Sequence, residues 1–408
     1  MIGKIKGITI DTAILEEVTE ILSLQFQKKT VIESVILLSE PSRRNLVLRI
    51  ILQNSANGVP NSIILKQSII KKSAEDNGNE AFGRFSRDWA GLEFLSNLKT
   101  SASIVPKFYG GSTQHRFVLI EDLGAIHTSL VDVLMKYNKN AAEAALNRFM
   151  KAMATLHGNT YITVKNHRAM IQKLNPSALM WQDDFDDMLS KISTLLEKFH
   201  IPLGNDLINE INYVLNLAKD PGPFTALMHG DMCPHNVFDD PIQNKIYIID
   251  FEWSFVGNVL LDAVVLRMCM PTSWCVKAFP EDIIESFEQI YKTELIKYIP
   301  AANNDSIYNQ HYVAACGYYM LWRVISLNDI LETEIDIHDP KFPIHPMWKP
   351  EDNIRRPRNL YRFQAFIEQS EKHDIFLHLR SMAISILNEL KDLWPDVEPL
   401  KLYPAFRK

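Results

Sequence analysis

From Asp11 onward the apolar residues Ile14, Leu15, Val18, Ile21 and Leu22 recur at three- and four-residue spacing behind an Asp-Thr pair. That period lines one face of a helix, and an Asp at its start can accept from the unpaired N–H groups of the first turn. The period then shortens. Residues 31–38, 45–52 and 62–68 are runs rich in Val, Ile and Leu, separated by polar turns at 39–44 and 54–61. Three such runs predict an antiparallel meander. After a polar linker at 73–80, residues 82–98 return to helical spacing, with Phe85, Trp89, Leu92 and Leu95 on one face. Residues 106–111 open a hairpin that reaches the apolar run 117–120 and leaves it through Glu121-Asp122-Leu123-Gly124.

Beyond this point helical periods dominate. Leu146, Phe149, Met150, Met153 and Leu156 predict a helix ending at His157-Gly158, where a histidine would meet unpaired carbonyls. Further helical stretches fall near Leu195 and Phe199 and at 207–217, 282–299, 307–331 and 360–393, and no internal repeat is present. The pattern predicts an α+β chain of two lobes. Residues 1–122 form a small lobe built on an antiparallel sheet, and residues 123–408 form a larger, mostly helical lobe, with a crossover near Leu123 whose backbone could hydrogen-bond a purine edge.

Composition narrows the function classes. The chain has 408 residues, 47% hydrophobic and 23% charged, with a net charge of −6. That is an ordinary globular make-up, and its acidic balance argues against a general nucleic-acid or anionic-membrane binder. No run is long and apolar enough to span a bilayer, and the N-terminal residues lack the apolar core of a signal peptide, so a cytoplasmic location is expected. Cys233, Cys269, Cys275 and Cys316 have neither metal-knuckle nor disulfide-framework spacing and read as free thiols.

The stretch that carries chemistry is Leu227-Met228-His229-Gly230-Asp231-Met232-Cys233-Pro234-His235-Asn236, followed by the β-rich run Ile246-Tyr247-Ile248-Ile249-Asp250-Phe251-Glu252. A phosphoryl-transfer site needs these groups in this order. One carboxylate orients the attacking hydroxyl and takes its proton, and an amide and a second carboxylate hold Mg²⁺ against ATP. Asp231 is the candidate base. Asn236 and Asp250 are candidate Mg²⁺ ligands, offering the hard oxygens that ion takes. His229 reads as a residue that stiffens the loop through backbone hydrogen bonds. Lys66, within Ile63-Ile64-Leu65-Lys66-Gln67, would by itself be a solvated edge residue, but a kinase needs a cation on its third strand to hold the α- and β-phosphates. Asp88 and Glu93 on the following helix could each pair with it.

His229-Gly230-Asp231 with Asn236, then Ile249-Asp250-Phe251-Glu252, then Gly257 and Asp262, resembles the signature of the aminoglycoside phosphotransferase and choline kinase superfamily, small-molecule kinases with a protein-kinase-like two-lobed fold. Ile120-Glu121-Asp122-Leu123-Gly124 resembles that family's hinge, which would place Glu121 and Leu123 beside the nucleotide. Arg87-Asp88 resembles its Arg-Glu helix, which favours Asp88 over Glu93 as the partner of Lys66, and makes Lys66 the phosphate lysine. The same likeness gives Asp262 the task of steadying the base loop. Two departures stand out. The turn between the first two strands carries no glycine, so the phosphate-covering loop would rely on Ser39, Ser42 and backbone amides, with Arg43 or Arg44. Asp88 is also one methylene shorter than the family's Glu and demands a closer approach of helix and strand.

The resemblance implies an ATP- and Mg²⁺-dependent transfer of the γ-phosphate to a hydroxyl of a small molecule, aminoglycoside-like or an amino alcohol. Glu252, Trp253, Trp274 and the acidic run at 332–336 are the residues that could contact such an acceptor, since a cation favours carboxylates and aromatic faces. A sugar, fructosamine or amino-acid kinase of the same superfamily is one alternative. A catalytically silent ligand- or protein-binding module is the other, and the glycine-free turn favours it.

Overall fold

The computed structural model describes residues 10–39, 44–53, 58–69, 79–98, 104–124, 127–179, 185–273, 276–333 and 354–407. The glycine-free turn with Ser42, Trp274, Cys275 and most of the acidic run at 332–336 lie outside these. The chain packs as two compact units, one comprising Met1–His127, Thr163–Met180 and Tyr247–Ser254, the other Thr128–Ile162, Trp181–Ile246 and Phe255–Lys408.

The first unit opens with helix α1 (Thr12–Phe26), capped by Asp11, whose carboxylate accepts from the Ala13 N–H. Strands β1 (Ile32–Leu37), β2 (Asn45–Leu52) and β3 (Ser62–Ser68) follow, then helix α2 (Asn79–Asn97) and the hairpin β4 (Phe108–Ser112) and β5 (Phe117–Glu121). The five strands form one antiparallel sheet in the order β1-β2-β3-β5-β4. Along β2 and β3 burial alternates, as a period-two pleat requires. Leu46, Leu48, Ile50, Leu52, Ile63 and Leu65 share one core with Ile14, Leu15, Val18 and Leu22 of α1.

The same pleat points Lys66 to the other side of the sheet from Leu65. Lys66 stands opposite Val47 on β2 and Val118 on β5, so its strand is central and not the solvated edge that its sequence setting suggests in isolation. Helix α2 packs on the short 3₁₀ turn Phe251–Trp253 and on the helix Val164–Leu174, both contributed by later parts of the chain.

The second unit is mostly helical. Its helix Lys139–Tyr161 packs against the helix Glu281–Leu295 and against the strand Thr225–Met228, which pairs antiparallel with Phe255–Asn258. The helix does not end at His157-Gly158 but runs on to Tyr161. Gly158 serves close packing instead of termination: a Cβ there would lie 2.2 Å from the Tyr298 ring. Among the described residues no helix is long and apolar enough to cross a membrane. Cys233, Cys269 and Cys316 are buried thiols that form no disulfide.

Candidate active site

In the first unit the side chains that matter surround the Lys66 ammonium. Asp88 Oδ2 lies 2.8 Å from Nζ, and Asp250 Oδ1 accepts a hydrogen bond from the same nitrogen. Glu93, the other candidate partner, instead accepts from Trp89 Nε1 at 2.7 Å. Burial by itself would lower the Lys66 pKa, but the negative charges of Asp250, Asp88 and Glu252 outweigh it and raise the value above that of an ordinary lysine. Burial raises the Asp88 carboxyl pKa, with Lys66 opposing and Asp250 adding to the rise. Burial raises that of Glu252 too, again with Asp250 adding to it, while Lys66 and a hydrogen bond from Asn45 Nδ2 at 3.1 Å act the other way. Three carboxylates thus act on one ammonium and leave the cluster with an excess of acidic groups.

The backbone is shaped to hold this cluster. Asp250 sits in the left-handed region at φ 71°, a conformation that Asp tolerates better than most residues and that is enriched at functional sites. The next residue, Phe251, donates its N–H to Asp88 Oδ1 at 2.8 Å, so one short carboxylate grips both the lysine and the turn Phe251–Trp253. Arg87 is buried and donates through Nε to the Glu252 carbonyl at 2.8 Å, with its guanidinium 5.9 Å from the Trp253 ring centre. Glu252 and Trp253 are therefore tied into this cluster. At the end of β5, Glu121 accepts from the Lys107 N–H through Oε2 at 3.1 Å and donates its own N–H to the Lys107 carbonyl at 2.8 Å. Asp122 takes hydrogen bonds from Ser62 at 2.6 Å and from the Gly124 N–H at 2.9 Å and pairs with Arg49, so Leu123 lies in a pinned turn. Burial would raise the Asp122 pKa, but these bonds carry it below the usual carboxylate range.

In the second unit the loop that follows the strand Thr225–Met228 is organised by Asp262. Its carboxylate accepts the N–H of His229 at 2.7 Å and of Gly230 at 3.1 Å. Gly230 takes φ 75°, which lets the chain turn back under its own carboxylate acceptor. His229 Nδ1 accepts the Asp231 N–H at 3.2 Å, which makes Nδ1 the unprotonated nitrogen and fixes the tautomer. Asn236 Nδ2 donates to the Asp231 carbonyl at 3.0 Å and to its carboxylate at 3.1 Å, so the amide oxygen is the atom Asn236 can offer to a cation. Asp231 itself is only half-buried.

Two functional residues escaped the sequence reading. His157, fully buried, bridges Asp262 Oδ2 at 3.2 Å and the Tyr291 hydroxyl at 2.7 Å, so the loop carboxylate is held from behind. Burial raises the Tyr291 pKa well above its ordinary value, which keeps that hydroxyl protonated. Asn45, at the start of β2, meets Glu252 across 207 positions of sequence, and no local pattern marks such a pair.

Solved structures similar to the chain include an aminoglycoside phosphotransferase homologue from Ralstonia eutropha, 11% identical with a TM-score of 0.47, covering 89% of this chain and 98% of its own. The choline kinase of Streptococcus pneumoniae is 14% identical with a TM-score of 0.39, covering 88% and 100%. A choline/ethanolamine kinase family protein from Mesorhizobium loti is 13% identical with a TM-score of 0.40, covering 91% and 99%. No curated protein sequence matches the chain. Residues 92–294 match the profile of the phosphotransferase enzyme family, a span that holds the His229–Asn236 loop, Asp250 and Asp262. The chain belongs to the phosphotransferase enzyme family.

Proposed function

We propose that the protein is an ATP- and Mg²⁺-dependent phosphotransferase that moves the γ-phosphoryl group of ATP to a hydroxyl of a small molecule, an aminoglycoside-like or amino-alcohol acceptor. The observation that carries this reading is the Lys66 ammonium held between Asp88 and Asp250, the arrangement a nucleotide kinase needs to fix a cation against α- and β-phosphates.

The resemblance makes Asp250 and Asn236 the Mg²⁺ ligands, and their chemistry suits that role, since an anionic and a neutral oxygen are hard ligands of the kind the ion takes. Bound there, Mg²⁺ would neutralise charge on the phosphates. The remaining work belongs to the chain. Lys66 binds phosphate oxygens, Asp88 keeps its amine in place, and Glu121 and Leu123 present backbone groups to the base. Asp231 accepts a hydrogen bond from the acceptor hydroxyl, orients it, and takes its proton as the new bond forms. His229 and Asp262 hold Asp231 at the required angle. Ser42 would help cover the phosphates, and Glu252, Trp253 and Trp274 would contact the acceptor, whose cationic group favours carboxylates and aromatic faces.

Thermal unfolding with ATP and Mg²⁺ tests the nucleotide half. At a concentration 100-fold above Kd, the ligand should add about 2.7 kcal/mol to apparent stability, and Asp250→Asn should abolish most of that gain. A protein that is not stabilised by ATP at any Mg²⁺ level would instead be a silent binding module. ADP release across a panel of amino alcohols, aminoglycosides, sugars and amino acids then identifies the acceptor class.

A further inference from the structure

The base loop carries a second donor set that phosphoryl transfer does not use. Cys233 Sγ lies 3.3 Å from Asp231 Oδ1 and 3.2 Å from His235 Nε2, and one ligand atom from each of the three residues lies within 4.8 Å of the others. The local fold brings them together. The Cys233 N–H bonds to the Asp231 carbonyl at 2.8 Å, and Pro234 then starts a 3₁₀ turn over Pro234–Asn236 that returns His235 to the same side.

These separations match a metal's coordination shell. A tetrahedral Zn²⁺ with S at about 2.3 Å and N or O at about 2.0–2.1 Å separates the sulfur from each of the other two by about 3.5 Å. The observed 3.2 and 3.3 Å need only a small outward movement. Thiolate and imidazole select a borderline-soft ion, whereas Mg²⁺ takes oxygen. Asn236 Nδ2, 3.2 Å from Sγ, would remain as an outer hydrogen bond to the bound thiolate. Cys233 is buried, as zinc thiolates usually are, and Asp231 and His235 are half-exposed, which leaves the ion a way in.

We infer that Asp231, Cys233 and His235 form a three-ligand Zn²⁺ site on the base loop, and that zinc bound there takes Asp231 away from the acceptor hydroxyl. Binding releases the thiol proton to solvent and forms the S–Zn bond, with a water in the fourth position. The inhibitory consequence rests on the function proposed above, but the binding does not.

The test is titration of the full chain with Zn²⁺ alone, without nucleotide, beside Cys233→Ser and His235→Gln. Wild type should bind one tight equivalent, and each variant should lose at least about 100-fold in affinity. Co²⁺ in the wild type should give a sulfur-to-metal charge-transfer band that Cys233→Ser lacks. His235 is half-exposed, so its variant keeps the test open if the cysteine variant unfolds. Equal zinc affinity in wild type and His235→Gln, or a cobalt spectrum with no thiolate band, overturns the site. In the ADP-release assay at saturating Mg²⁺, added Zn²⁺ should lower wild-type turnover and a zinc chelator should restore it. A chain that binds zinc at these residues but turns over no acceptor would refute the phosphotransferase reading while leaving the metal site standing.

Discussion

Gly91 of α2 and Phe251 of the turn Phe251–Trp253 stand so close that a methyl group added to the glycine would lie 2.8 Å from Phe251 Cβ. This approach is what lets the short side chain of Asp88 reach both Lys66 and the Phe251 N–H. Alanine normally stabilises a helix by about 1 kcal/mol relative to glycine. Here the overpacking should cost about 1–3 kcal/mol and weaken the Asp88 bond, so Gly91→Ala should be neutral to destabilising. Urea midpoints at constant m-value give the answer. A clear gain in stability would show that the contact is loose.

Removing the lysine should itself destabilise the fold. Lys66→Met leaves Asp88, Asp250 and Glu252 facing one another with their cation gone, and breaking such a buried pair costs about 3–5 kcal/mol. The sign with pH follows. Without the ammonium, the carboxyl pKa values rise further above their unfolded values, so the folded state binds more protons and gains stability as pH falls. The variant should therefore lag wild type more at pH 8 than at pH 5, measured by denaturant titration at both.

Asp262 supports three groups at once, the N–H groups of His229 and Gly230 and the His157 imidazole. Each buried donor left unpaired costs about 1–3 kcal/mol. Asp262→Ala should lower stability by at least about 2 kcal/mol and also loosen the loop. His157→Gln should lose less, because both loop N–H groups keep their acceptor. Parallel unfolding curves rank the two variants.

Asp231→Asn keeps shape and volume and removes only the charge. Turnover should fall by about 10²–10⁴, the usual worth of a positioned general base. Since Asp231 is half-buried, the melting temperature should hardly move. An unchanged ADP-release rate would remove Asp231 from the proposed mechanism.

His167 offers a pH signature away from the site. Burial, with Arg168 adding to it, pushes the imidazole down to about 4 from 6.5. Neither ring nitrogen has a hydrogen-bond partner among the described residues, and the ring packs against Phe94. The unfolded chain therefore takes up a proton at His167 below pH 6.5 that the folded chain refuses until about 4. That contribution is complete above 6.5 and is lost as pH falls towards 4, about 3 kcal/mol in all. His167→Phe should flatten the stability profile in this window.

Local chemistry made much of this legible. Strands β2 and β3 occupy the residues that their Val, Ile and Leu runs mark, and the Asp11 cap sits where the helical period begins. Asp231 and Asn236, which a hydrogen bond joins, were readable as one loop because they lie close in sequence. Contacts across long stretches of chain were not readable. Nothing in the composition of Thr163–Met180 says that it packs with the first unit, and Gly158 looks like a helix stop until Tyr298 is seen to lie against it. His157 was hidden for the same reason, since its partners Asp262 and Tyr291 lie 105 and 134 positions away.

The bond between Lys66 and Asp250 spans 184 positions. A ribosome adds about 5–20 residues per second, so roughly 10–40 s of synthesis separate the amine from its carboxylate. During that interval the nascent sheet carries a cation whose second counter-ion has not been made. The Lys66 cluster is thus among the last parts of its unit to close, and a truncated product ending before Asp250 would lack the second counter-ion altogether.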